Sequence, residues 1–206
     1  MQVTFPGPVG PLEGQLDPAE SPRAAVVFAH PLPSHGGTMH TKAVFQGAKG
    51  LSRIGCAVLR FNFRGVGASA GTFDAGPGEM DDFKAALDYM ETQCPGVTLW
   101  AAGFSFGSWV ALEVGAADPR VSVLIGIAPP VTREHYSFAS TLETVRPKFL
   151  VHGDLDQIVP LKDLWAFYAR LKEPKELVVI PGANHLFDGH TTEVGEALED
   201  LLGDFE

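Results

Sequence analysis

The stretch Val97-Thr-Leu-Trp-Ala-Ala-Gly103-Phe-Ser105-Phe-Gly107-Ser-Trp-Val-Ala-Leu-Glu-Val-Gly-Ala-Ala117 decides the fold. Its first part, Val97–Ala102, is a short apolar run of the kind a buried strand shows. Its last part, Phe106–Ala117, has the length and composition of a helix. Between them lies Gly-x-Ser-x-Gly. A strand that turns into a helix within so few residues needs glycines, because a Cβ two positions before or after the serine would meet neighbouring backbone. The turn leaves the Ser105 hydroxyl exposed on a strained backbone and aims the amides of the following helix at it. The pattern alone is moderately specific; its place between a buried strand and a helix makes Ser105 a candidate nucleophile.

The pattern repeats outward in both directions. Upstream, Ala24–Ala29 and Cys56–Phe63 read as buried strands, separated by a helix over Thr41–Arg53 that Gly55 closes. A glycine-rich loop, Gly65 to Gly78, precedes a helix over Glu79–Gln93, whose acidic first turn suits the helix dipole. Downstream, strands are read at Val121–Ala128, Lys148–His152 and Glu176–Ile180, and helices at Pro160–Leu171 and Thr191–Leu202. Val3–Phe5 and Leu12–Leu16 can pair as an edge hairpin. Alternating strands and helices imply a mostly parallel sheet covered on both faces. No repeat or linker divides the 206 residues, so a single domain over 1–206 is expected. The longest connection, Pro129–Pro147, has room for one short helix and is too short for an independent lid domain.

Bulk properties narrow the classes of function. The formal net charge is −10 and no Lys/Arg block stands out, which argues against nucleic acid or an anionic membrane surface as partner. The N-terminus lacks a basic and an apolar region, and no apolar run reaches the roughly 18 residues of a membrane span. The two cysteines, Cys56 and Cys94, read as free thiols in a reducing compartment, so a cytoplasmic location is expected. His30, His35 and His40 recur every five residues, a poor spacing for shared ligation, and no metal or cofactor is expected.

A serine hydroxyl needs a base. His185, on the loop after the last strand, stands where the chain order Ser…Asp/Glu…His requires it, and His190 is its rival. The acid should follow the strand Lys148–His152, where Asp154 and Asp156 compete and spacing does not choose. Backbone amides must hold the oxyanion. One is Phe106 N–H; the other should come from the loop after Ala24–Ala29, where Pro31 and Pro33 have none to give and Leu32 is left.

These residues resemble the small, lidless α/β-hydrolases related to dienelactone hydrolases and prolyl-oligopeptidase-type catalytic domains. The resemblance rests on His30-Pro with Gly36-Gly-Thr-Met39, Arg60-Phe-Asn-Phe-Arg-Gly-Val-Gly67, Gly103–Gly107, His152-Gly-Asp-Leu-Asp-Gln-Ile-Val-Pro160 and Gly182-Ala-Asn-His185, in that order. It implies a three-layer α/β-hydrolase fold and selects Asp156 over Asp154 as the acid. Dienelactone hydrolases proper use cysteine where this chain has Ser105. The expected activity is hydrolysis of a small-molecule ester through an acyl-enzyme. Thioester, lactone or peptide cleavage, acyl transfer and a non-catalytic binding role remain as alternatives.

Three further readings concern the surroundings. Arg60 and Arg64 should form structural ion pairs with Glu79 or Asp82 rather than hold a substrate. Phe104, Phe106 and Trp109 could line an acyl pocket, although Trp109 could equally be packing. The substrate-binding residues are otherwise unknown.

Overall fold

The centre of the molecule is a pair of strands buried on both sides. In the computed structural model, which describes residues 1–205, β3 (Ala25–Ala29) and β5 (Leu99–Phe104) run parallel, with Val26 opposite Trp100 and Phe28 opposite Ala102. Successive side chains alternate between faces. Val27 and Ala101 therefore enter one core, and Val26, Phe28, Trp100 and Phe104 the other. A strand with two buried faces must be apolar throughout, which is why these runs show no polar alternation.

Among the described residues the sheet has eight strands in the order β1-β2-β4-β3-β5-β6-β7-β8. β1 (Gln2–Gly7) and β2 (Gly10–Asp17) form an antiparallel hairpin at one edge, and β2 pairs antiparallel with β4 (Ala57–Phe61). From β4 to β8 every pairing is parallel, through β6 (Val121–Ile127), β7 (Lys148–Gly153) and β8 (Lys175–Ile180). The helices α1 (Lys42–Arg53) and α6 (Thr191–Leu202) cover one face. They approach so closely that a Cβ on Gly50 would meet the Gly195 carbonyl oxygen at 2.3 Å. On the other face lie α2 (Pro77–Gln93), α3 (Phe106–Ala117), α4 (Ala139–Glu143) and α5 (Leu161–Arg170). This is the three-layer α/β-hydrolase architecture, and it has no lid.

Several boundaries differ from the sequence reading for local reasons. β5 starts at Leu99 because the Val97 N–H is taken by the Cys94 carbonyl in the turn after α2. α2 starts at Pro77, whose fixed φ suits a first helical position. Glu79 does not pair with an arginine; its carboxylate accepts the N–H groups of Asp74 (2.8 Å) and Gly76 (2.7 Å) at the helix entrance. Arg64 does pair with Asp82, through two guanidinium nitrogens at 2.8–3.2 Å, and both are buried. Arg60 turns the other way, to Asp17 on β2 and the Met39 carbonyl.

The long connection over residues 129–147 holds one short helix, α4, and is clamped to α3. Glu113 on α3 accepts the amides of Ser140 and Thr141 and the Thr141 hydroxyl, closing the N-terminus of α4. Trp109 Nε1–H donates to the Ser137 carbonyl at 2.8 Å, and its ring stacks on Tyr136. No helix among the described residues is long and apolar enough to cross a membrane.

Candidate active site

β5 delivers Ser105 at the carboxyl end of the sheet, where open parallel sheets gather their ligands. Ser105 has φ 51° and ψ −119°, a conformation that costs a non-glycine residue about 1–3 kcal/mol. The flanking glycines make it possible. A Cβ on Gly103 would meet the Gly107 carbonyl oxygen at 2.1 Å, and one on Gly107 would meet the His30 carbonyl oxygen at 2.4 Å. The Ser105 N–H still donates to Ile127 of β6 at 2.8 Å, so the strained residue is held from the sheet side.

β8 ends at Ile180, and the loop that follows carries His185. Asn184 organises this loop by accepting the amides of Leu186 and Asp188 at 3.1 Å each. The His185 ring lies against Phe104 and Phe104 against Phe187, the latter buried with φ 56°. His185 Nε2 is 2.9 Å from Ser105 Oγ, and Nδ1 is 2.7 Å from Asp156 Oδ2. His190 is elsewhere, paired with Glu193 at the start of α6.

The two candidate aspartates after β7 have different partners. Asp156 meets His185 through Oδ2, while its Oδ1 accepts the amides of Ile158 and Val159 at 2.8 Å. Asp154 accepts the Gly182 amide and so ties the β7 loop to the β8 loop. Burial would raise the Asp156 carboxyl, but the His185 and Val159 hydrogen bonds outweigh it, and the group stays below the ordinary carboxylate value. The hydroxyl, the imidazole and the carboxylate thus form one hydrogen-bonded row from three distant parts of the chain.

The two amides expected to hold an oxyanion make no internal hydrogen bond. Neither Phe106 N–H nor Leu32 N–H has an acceptor among the described residues. They belong to adjoining segments, because Gly107 packs directly on the His30 carbonyl.

The aromatic residues flagged near the elbow divide. Phe104 lines no acyl pocket: strand alternation sends it to the opposite core, where it supports His185. Phe106 is buried beside Phe63, Phe73, Trp109 and Tyr136. Trp109 is packing against the 129–147 segment. Two adjoining cavities of about 250 and 340 Å³ share Val131, Phe167 and Arg170, and neither Ser105 nor His185 lines them.

Sequence reasoning gave no site role to two histidines that the fold buries. His152 lies beside Asp156: its Nε2 bonds the Val159 carbonyl at 2.8 Å and is 3.6 Å from Asp156 Oδ2. Burial pushes its pKa down. His30 bonds the Pro31 carbonyl through Nδ1 (2.7 Å) and accepts the Phe63 amide at Nε2 (3.1 Å). The signal for both was a histidine at the end of an apolar run, Ala25–Ala29 or Phe149–Val151, where burial favours partnered ring nitrogens; both nitrogens of His30 are partnered, while His152 Nδ1 has no partner among the described residues.

Fold and site together define a serine hydrolase of the α/β type. Residues 20–149 match the family described as serine aminopeptidase, S33, and the chain belongs to that family. It is similar to a structure described as an alpha-beta serine hydrolase homologue from Coxiella burnetii, with 39% identity, a TM-score of 0.91 and coverage of 98% of this chain and 97% of that one. A serine hydrolase without lid from Xanthomonas campestris is 37% identical, with a TM-score of 0.89 over 97% of this chain and 92% of that one. An uncharacterised protein of Rickettsia prowazekii is 37% identical over 98% of this chain and 88% of its own length.

Proposed function

We propose that this chain hydrolyses carboxylic esters of small or medium acyl groups through an acyl-enzyme on Ser105. The observation that carries the reading is the row Ser105 Oγ, His185, Asp156, with distances of 2.9 and 2.7 Å. His185 Nε2 takes the hydroxyl proton as Oγ attacks the acyl carbonyl. Asp156 accepts the Nδ1–H, holds that tautomer and stabilises the imidazolium. The amides of Phe106 and Leu32 receive the negative charge of the tetrahedral intermediate. The imidazolium then protonates the leaving alkoxide, and water, activated by the same imidazole, releases the acid. The family and the lidless architecture support the hydrolase chemistry. The clamped 129–147 segment favours small or exposed acyl groups.

The test is a panel of p-nitrophenyl esters of rising chain length, with a thioester, a lactone and a dipeptide amide alongside, for wild type and Ser105→Ala. Short esters are expected to be turned over fastest, and the variant to lose about 10⁵- to 10⁶-fold in kcat. Equal rates in the two proteins would remove the reading. Preference for another bond would keep the serine chemistry and move the substrate class.

A further inference from the structure

We propose that His30 is the positioning residue for the second oxyanion donor, fixing the Pro31–Leu32 peptide so that its N–H faces the charge developing at Ser105. The inference rests on the reading given above and adds to it the device that aims one of its parts.

One peptide unit links His30 to the donor. The carbonyl of Pro31 and the N–H of Leu32 belong to the same trans peptide, so they point in opposite directions. His30 Nδ1 donates to that carbonyl at 2.7 Å. Holding the oxygen against the ring therefore holds the Leu32 N–H away from it. The ring itself is anchored, since its Nε2 accepts the Phe63 amide at 3.1 Å and its face meets the Phe63 ring. An Nε2 that accepts must be bare, which leaves Nδ1 as the protonated nitrogen. Burial keeps the imidazole neutral, with its pKa pushed down to about 4.

The neighbouring groups point the same way. The Leu32 carbonyl accepts the amides of His35 and Gly37, both at 3.1 Å, so the next peptide is fixed as well. Gly37 is pressed against the Pro31 carbonyl, where a Cβ would come within 2.1 Å of the oxygen. Pro31 and Pro33 restrict φ on either side of Leu32. In this closely bonded turn the Leu32 N–H has no acceptor among the described residues. Its segment also lies against the elbow through the contact of Gly107 with the His30 carbonyl. A donor without an internal acceptor is what a preorganised oxyanion site requires.

Two substitutions separate aiming from mere support. Asn places an amide N–H where Nδ1 stands, so His30→Asn keeps the bond to Pro31 and loses the tie to Phe63. Gln places its amide nearer Nε2, so His30→Gln keeps the tie to Phe63 and loses the bond to Pro31. Ester kinetics on both are expected to show kcat down about 10- to 100-fold in H30Q, with KM within about twofold, and kcat within about threefold of wild type in H30N. Equal losses in the two variants, a loss carried by KM, or no loss in H30Q overturns the proposal. A measurement on the wild-type chain does not depend on how the variants fold. Nitrogen NMR is expected to show His30 as the Nδ1–H tautomer, and the Leu32 and Phe106 amides should both shift when a fluorophosphonate derivatises Ser105. An Nε2–H tautomer, or a Leu32 amide that stays still while Phe106 moves, overturns the aiming role and leaves the triad intact. If Ser105→Ala retains wild-type activity, the hydrolase reading fails and this proposal fails with it.

Discussion

The two ends of the parallel sheet are finished in different ways. At the amino ends of the strands the polar groups are paired with one another. Lys148 Nζ is held by the carbonyls of Arg146 and Lys172, Arg146 caps the last carbonyls of α3 at Gly115 and Ala116, and Arg120 binds Asp118, Asp88 and Glu91. At the carboxyl ends, groups are held in states that do not favour stability. Ser105 is strained, and the Phe106 and Leu32 amides lack an acceptor among the described residues. Identical β-strands join the two ends, so the difference lies in the loops. One end is closed by paired groups, although burial pushes the Lys148 pKa down to about 8; the other stores cost in the strained backbone of Ser105, a geometry suited to a transition state.

Breaking each end should therefore have opposite signatures. After the serine itself, the largest loss of turnover belongs to Asp156. Asp156→Asn is expected to lower kcat by about 10⁴-fold, because Asn can hold the wrong imidazole tautomer. Asp154→Asn should change kcat far less, since Asp154 only ties two loops together. Similar losses in the two variants would erase the distinction between them.

The next effect is on acid stability. The His30 pKa falls from an ordinary 6.5 to about 4 in the folded chain, so the unfolded chain binds the proton first as pH drops. The stability contributed by the neutral ring is complete above pH 6.5 and is lost as pH falls towards about 4, by about 3 kcal/mol in all. Urea midpoints measured from about pH 7 to about pH 4.5 should fall accordingly, and more gently in His30→Asn. Parallel curves for the two proteins would contradict the burial account.

The smallest changes in stability come from two substitutions with contrasting effects on turnover. Ser105→Gly is expected to abolish turnover yet raise stability by about 1 kcal/mol, since glycine adopts a positive φ without strain. Arg146→Ala should do the reverse, costing about 1–2 kcal/mol while kcat stays within about twofold. Thermal unfolding and ester kinetics on the same samples would check both.

Much of this was legible in the sequence, and the reasons are physical. Strands buried on two faces cannot hide their apolar runs, so Ala25–Ala29 and Leu99–Phe104 were readable to within two residues or so. The Gly103–Gly107 turn has one geometry, and its glycines announce it. The choice between Asp154 and Asp156 was not readable from spacing, because both lie in one tight loop and only the fold shows which reaches the imidazole. Arg60 was assigned partners on α2, but it pairs with Asp17 on the antiparallel hairpin, a contact 43 residues away that no local pattern encodes. Phe104 looked like a pocket residue through its nearness to Ser105; strand alternation put it on the far side. His30 drew attention only as one of three spaced histidines, because a histidine that serves a neighbouring carbonyl leaves no periodic trace.

An activated Ser105 would be the one serine in the chain with enhanced nucleophilicity. Incubating the purified protein with a fluorophosphonate and locating the adduct by peptide mass spectrometry tests it most directly. A single adduct is expected, on Ser105, absent in Ser105→Ala and formed far more slowly in His185→Ala. An unlabelled wild-type protein, an adduct on another serine, or labelling indifferent to His185 would contradict it.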